Sequence, residues 1–182
     1  MARRGLVQIY TGDGKGKTSA AMGAVLRAVG QGMRACVIQF LKGGTPSGEV
    51  NALADLKGMV EIFRFGRKPI CGEDFAWVDA EHPTTEDVEQ ARAAFHHAQR
   101  AVSSSRYDLV VLDEANTACA WGLVKVEEVL RVLRERTETV EVILTGREAP
   151  PELTAFADLV TEMVSVKHPF EKGTPARPGV EI

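Results

Sequence analysis

Short apolar runs and longer segments of helical period alternate along the chain. Leu6–Tyr10, Ala35–Phe40, Val60–Phe65, Leu109–Leu112, Val140–Leu144 and Leu159–Val164 are rich in β-branched residues and too short for helices, which predicts strands. Between them, Lys17–Val29 is Ala-rich and follows a glycine-rich turn. Glu86–Val102 sets Val88, Ala91, Phe95, Ala98 and Val102 on one stripe, with Thr84 and Asp87 spaced as a capping box. Val124–Arg136 sets Val126, Val129, Leu130 and Leu133 on another stripe, and Pro150-Pro151 predicts a short helix before Asp158.

Strands that alternate with helices predict an α/β fold, a mostly parallel central sheet of about six strands flanked by helices. The near-continuous apolar run Leu109–Leu112 fits a strand buried on both faces. Ligands of such sheets sit beyond the carboxyl ends of the strands, so the loops after strands carry the candidate chemistry. Lys42–Gly48 and the long irregular Gly66–Pro83 stand out among them, and the tail from Lys167 to Ile182 is rich in Gly and Pro.

The 182 residues predict one domain over 1–182. Apolar residues make up 45% and charged residues 26%, as in soluble globular proteins. A net charge of -3 argues against a nucleic-acid partner held by bulk electrostatics. Cys36, Cys71 and Cys119 are too dispersed for a zinc knuckle and odd in number, which fits a reducing compartment. The apolar run after Arg3-Arg4 is too short and polar for a secretory core, and no 18-residue apolar stretch follows. A cytoplasmic protein with no membrane partner is expected.

Thr11-Gly12-Asp13-Gly14-Lys15-Gly16-Lys17-Thr18-Ser19 joins a strand to a helix. Glycines there let backbone N–H groups turn inward around phosphate oxygens, and the helix N-terminus favours anions. Lys17 would meet the phosphates as a point charge, and the Thr18 hydroxyl is placed for magnesium. Counted from Gly12 the loop is one residue shorter than Gly-x4-Gly-Lys-Thr/Ser, because Thr11 stands where the first glycine is usual. A ligand-free strand-to-helix turn is the structural alternative.

The run Leu109–Leu112 ends in Asp113-Glu114, which would set carboxylates beside a nucleotide-bound magnesium. Acids that only cap the next helix are the alternative. Arg147, after Thr145-Gly146, would reach a phosphate or remain a surface residue beside a turn. His96 and His97 read as a half-solvated pair beside Phe95, His82 as exposed, and His168 as shaping the C-terminal loop.

The ordered set Gly12–Ser19, Arg27-Ala28-Val29-Gly30, Gln39-Phe40-Leu41-Lys42-Gly43, Val110–Glu114, Leu144–Arg147 and Val166-Lys167-His168-Pro169 resembles the P-loop-type ATP:corrinoid adenosyltransferases. The resemblance implies a RecA-like P-loop fold, a homodimer, ATP with Mg2+, and a role in making or salvaging adenosylcobalamin. It implies that Co(I) of a reduced corrinoid attacks the 5′ carbon of ATP and triphosphate leaves, with Lys17, Thr18 and Glu114 as catalytic residues. Thr11 to Ser19 and Arg147 would then bind ATP, and Thr18, Asp113 and Glu114 the metal. The family's Phe-x-Trp element matches Phe75-Ala76-Trp77, which puts Phe75 and Trp77 at the corrinoid, and a flavodoxin-like reductant is implied as a partner. Two other readings suit the same residues: a RecA-class ATPase or phosphotransferase with Glu114 as base, and an ATP-regulated corrinoid carrier without catalysis.

Overall fold

Each apolar run forms a strand, and the six lie in one sheet. In the computed structural model, which describes residues 4–44, 47–56, 58–68, 78–169, 173–175, 177 and 179–180, the chain runs β1 (Val7–Thr11), α1 (Lys17–Gly30), β2 (Ala35–Gln39), α2 (Gly48–Ala54), β3 (Val60–Arg64) and α3 (Thr85–Ser103). It continues through β4 (Leu109–Asp113), α4 (Ala115–Ala120), α5 (Val126–Arg134), β5 (Glu141–Thr145), α6 (Pro151–Phe156) and β6 (Leu159–Glu162). The strand order is β3-β2-β4-β5-β1-β6 and every neighbouring pair is parallel. All six carboxyl ends therefore point to one edge of the sheet.

The period-2 alternation of each central strand divides its residues between two cores. Ala35, Val37, Leu109, Val111 and Ile143 pack with Ala21, Met22 and Val25 of α1 and Leu53 of α2. Cys36, Ile38, Val110, Leu112, Val142 and Leu144 face the other way, onto α3, α4, α5 and α6. β4 is buried at all five positions, as a strand covered on both faces must be. Truncating a buried Leu or Ile here to Ala would cost about 2–5 kcal/mol.

The structure moves several boundaries and adds two helices. β4 runs on to Asp113, so its last side chain is a buried carboxylate rather than a loop residue. β6 stops at Glu162, because beyond it only Met163 continues the bonding to β1, through its N–H to Thr11 O. Two helices, α2 and α4, were not foreseen: both are too short to show a period. The stripe of α3 begins at Asp87 rather than Val88, which is 39% exposed. Asp87 turns inward because it closes the capping box with Thr84 and pairs with Arg67 Nε at 2.7 Å. α5 is shorter than Val124–Arg136, since Lys125 has extended backbone and starts the helix at Val126.

Candidate functional site

Every strand from β1 to β5 is followed, within two residues, by one of positive φ. Gly12 follows β1 (φ 94), Leu41 follows β2 (φ 61), Gly66 follows β3 (φ 139), Glu114 follows β4 (φ 62) and Gly146 follows β5 (φ 136). Two of these, Leu41 and Glu114, are not glycines, and a left-handed conformation at such residues is strained. The strain turns the chain sharply at the sheet edge, and the side chains around those turns converge on one carboxylate.

That carboxylate is Asp113, fully buried. Its Oδ1 accepts from Thr18 Oγ1 at 2.9 Å and from Thr145 Oγ1 at 2.7 Å; its Oδ2 accepts from Lys42 Nζ at 2.7 Å and from Gln39 Nε2 at 3.1 Å. Gln39 is oriented in turn by Arg64 Nε, which donates to its Oε1 at 2.8 Å. Burial alone would raise the Asp113 pKa, but the Lys42 ammonium and the hydrogen bonds from Lys42, Thr145 and Thr18 hold it below the ordinary carboxylate value. Burial likewise works against the Lys42 charge, and Asp113 and Glu114 outweigh it, so the Lys42 pKa is raised.

Glu114 sits next to Asp113, partly exposed, with its Oε1 3.9 Å from Lys42 Nζ. Its N–H donates to Thr145 Oγ1 at 3.0 Å, and its Oε2 accepts from Thr117 Oγ1 at 2.7 Å. Thr117 Oγ1 also accepts from the Arg147 N–H at 3.0 Å, which ties the loop after β5 to the start of α4. Gly146 is required at that crossing, since a Cβ there would stand 2.7 Å from Thr117 N and Oγ1.

The glycine-rich loop lies beside this cluster. Gly16, in the left-handed region, is the N-cap of α1, so the first amides of a 14-residue helix open toward the loop. Lys17 is buried, and its Nζ donates to Gly12 O at 2.5 Å and Gly14 O at 2.7 Å, inside the curve of the loop. Burial lowers its pKa, with Glu114 acting against the shift and Arg147 adding to it. Asp13, Lys15 and Ser19 are exposed, and Lys15 Nζ donates to Val180 O at 2.7 Å.

One expectation about the loop is corrected. The Gly14 N–H does not turn inward: it donates to Met163 O at 2.6 Å, and a Cβ on Gly14 would stand 2.6 Å from that oxygen. The glycine at position 14 therefore allows backbone to pass close to the segment after β6 rather than freeing an amide for an anion.

The structure thus brings Lys17, Thr18, Asp113 and Glu114 together, with Arg147 on the rim as an exposed residue. Phe75 and Trp77 lie outside the described residues, as does Cys71. His97 is half-buried and packs on Phe63, ring centroids 3.8 Å apart; His96 is exposed rather than half-solvated, and His82 is exposed, as read from the sequence. Lys42, Thr145, Gln39 and Thr117 were not singled out as site residues, although Lys42 and Gln39 share the quoted block Gln39–Gly43 and Thr145 precedes Gly146. That clustering after strand ends was the available signal.

Among the described residues no group of three or more His, Cys, Asp or Glu is arranged to hold a metal, and no helix is long and apolar enough to cross a membrane. The cluster offers a cation at Lys17 held on loop carbonyls, a second at Lys42, open helix amides, and two carboxylates beside a hydroxyl. Such a set can grip a polyanion and its counter-cation.

Comparison with known proteins agrees on one family. The family model described as ATP:corrinoid adenosyltransferase BtuR/CobO/CobP matches residues 3–182. A protein named corrinoid adenosyltransferase from Escherichia coli (strain K12) is 36% identical over 178 residues, 98% of this chain and 86% of that protein. Those of the same name from Sinorhizobium sp and Pseudomonas aeruginosa are each 38% identical, over 98% of this chain and 81% and 84% of their own lengths.

Proposed function

This chain belongs to the ATP:corrinoid adenosyltransferase family, and we propose that residues 1–182 form a single domain that transfers the 5′-deoxyadenosyl group of ATP to Co(I) of a reduced corrinoid. Thr11 to Ser19 and Arg147 hold the triphosphate. Lys17 leaves the Gly12 and Gly14 carbonyls for phosphate oxygens, joined by the amides that open from α1. The observation that carries the reading is the short loop next to Asp113: Thr18, the residue after the loop lysine, is hydrogen-bonded to the carboxylate that ends β4.

A loop one residue short suits transfer at the sugar better than transfer at the γ-phosphate. The bond that breaks is C5′–O5′, so the loop must hold the leaving triphosphate rather than aim a phosphoryl group at an acceptor. The lone pair on Co(I) forms the cobalt–carbon bond, and the C5′–O5′ pair leaves with triphosphate. Co(I) is itself the nucleophile, so no general base is needed. The family match disfavours the ATPase and phosphotransferase readings, which ask Glu114 to act as base.

The residues fit a divalent cation. An ammonium already stands among Thr18 Oγ1, Asp113 Oδ2 and Glu114 Oε1, which marks the spot as one for positive charge. Thr18, Asp113 and Glu114 would hold Mg2+ there, with phosphate oxygens completing a shell too small to be a dedicated protein cage. When bound, Mg2+ supplies charge neutralisation for the departing triphosphate.

The family resemblance supports the remaining assignments. Phe75 and Trp77, the match to the family's Phe-x-Trp element, are assigned to corrinoid binding, where they would keep polar ligands off the lower side and ease reduction of Co(II) by a flavodoxin-like partner. The enzyme acts in the cytoplasm as a homodimer in the making or salvage of adenosylcobalamin; Leu159, Val160 and Val164, exposed along and just beyond β6, the last strand of the sheet among the described residues, support a contact with a second copy. The test is incubation with ATP, Mg2+ and chemically reduced corrinoid. Alkyl-cobalt formation in the visible spectrum, with one triphosphate released per cobalt–carbon bond, is expected; ADP and phosphate in its place would overturn the assignment.

A further inference from the structure

Lys42 has no assigned part in the reaction, yet its ammonium occupies the same oxygens that the reading above gives to the metal. Nζ lies 2.7 Å from Asp113 Oδ2, 3.1 Å from Thr18 Oγ1 and 3.9 Å from Glu114 Oε1. We propose that Lys42 is a built-in competitor for the divalent cation: its ammonium closes the oxygen site until a nucleotide-bound cation displaces it, so metal enters only together with ATP. This inference rests on the assignment of Thr18, Asp113 and Glu114 as cation ligands.

The backbone of Lys42 is clamped. Phe40 N donates to Asp113 O at 2.9 Å and Lys42 N to Phe65 O at 2.8 Å, and Leu41 between them holds a left-handed turn. The next residue, Gly43, is pressed on Gly66, where a Cβ would stand 1.7 Å from Gly66 O. The loop therefore cannot back away from Asp113, and only the flexible four-carbon stem can move the charge. Its side chain is 25% exposed, so one side is open for that swing.

A doubly charged ion and an ammonium cannot share three oxygens a few ångströms apart without strong repulsion. A free hydrated cation would have to strip its own water and also evict Lys42, leaving the ammonium only solvent and the weaker pull of Glu49. A cation carried by triphosphate differs on both counts. Phosphate oxygens already replace part of its water, and the same polyanion gives the displaced ammonium somewhere to go. In the nucleotide-free protein, Lys42 meanwhile neutralises a fully buried carboxylate that would otherwise stand unpaired. The arrangement is an ordering device: ATP and metal load as a unit.

Free Mn2+ serves as the probe, its electron paramagnetic resonance signal falling as it binds. Titrated without nucleotide, the wild-type protein should bind it at least tenfold more weakly than Lys42→Met. Lys42→Gln, which keeps a hydrogen-bond donor but no charge, should show the same gain, and Lys42→Met combined with Asp113→Asn should lose it. Equal Mn2+ affinity in wild type and both Lys42 variants, strong or weak, would overturn the proposal. A parallel titration with Mn2+ and ATP separates the two levels. Metal immobilised by wild type and released by Asp113→Asn upholds the ligand assignment whatever Lys42 does; no difference between those two would remove the assignment itself.

Discussion

Thr18 and Asp113, 95 positions apart in the chain, meet through a 2.9 Å hydrogen bond at the carboxyl edge of the sheet. Thr145 reaches the same carboxylate oxygen from the strand between them in space, at 2.7 Å. β5 pairs with both β1 and β4, so its last residue is the natural bridge between the phosphate-binding loop and the acid. The cluster is a structural keystone as well as a candidate metal site.

Removing the keystone should therefore show in stability before any assay of turnover. Asp113→Ala leaves Lys42, Gln39, Thr18 and Thr145 without their shared acceptor, one of them a partly buried charge. A loss of about 3–5 kcal/mol is expected, or a fall in Tm of roughly 6–20 °C. Urea unfolding followed by circular dichroism measures it. A change within about 0.5 kcal/mol, the range of ordinary surface substitutions, would contradict the keystone role.

The same pair sets a pH profile. Asp113 is held below its ordinary pKa, so its contribution is present above the unfolded value of about 4 and is lost as pH falls through the folded value. Lys42 is raised, so its contribution is present below the unfolded value of about 10.4 and is lost as pH rises through the folded one. Stability against urea should be highest between those limits. Asp113→Asn should flatten the acid limb and Lys42→Met the alkaline limb, in unfolding midpoints measured across pH.

Lys17 and Glu114 divide the work on the triphosphate under the proposed function. Lys17→Ala should lower the rate of triphosphate release by about 10²–10³-fold, the usual cost of losing a group that meets charge developing in the transition state. Glu114→Ala should shift the Mg2+ titration of activity to higher concentration with a smaller loss at saturation. A rate near normal in the first variant, or an unmoved titration in the second, would refute the respective role.

Two glycines should respond in opposite directions to the same substitution. Gly146→Ala puts a methyl 2.7 Å from Thr117 N and Oγ1 at a φ of 136, so a loss of about 1–3 kcal/mol is expected, with the Mg2+ titration moved to higher concentration through the displaced Thr117–Glu114 contact. Gly23, inside α1, has open space around its would-be Cβ. Gly23→Ala should stabilise the protein by about 0.5–1 kcal/mol. Thermal unfolding of the two variants side by side checks both signs.

The strands were readable from the chain because a sheet covered on both faces needs near-continuous apolar runs, and Leu109–Leu112 could hardly be anything else. α4 was not, because Ala-Asn-Thr-Ala-Cys-Ala has no helical stripe, and its burial comes from where β4 delivers it. The glycine-rich loop and Asp113-Glu114 were legible as chemistry because each is contiguous: neighbours in sequence are neighbours in the site.

Sequence alone therefore determined the alternation of strand and helix, the loop with Lys17 and Thr18, the acid pair, and the family blocks. Only the tertiary structure decided that Lys42, Gln39 and Thr145 share Asp113, since that depends on β2, β4 and β5 lying side by side in that order. It also decided that Gly14 spends its amide on Met163, a residue far down the chain that reaches the loop because β6 pairs with β1. Local spacing specifies which groups a segment can offer. Strand order and the left-handed turns at Leu41 and Glu114 specify which of them meet.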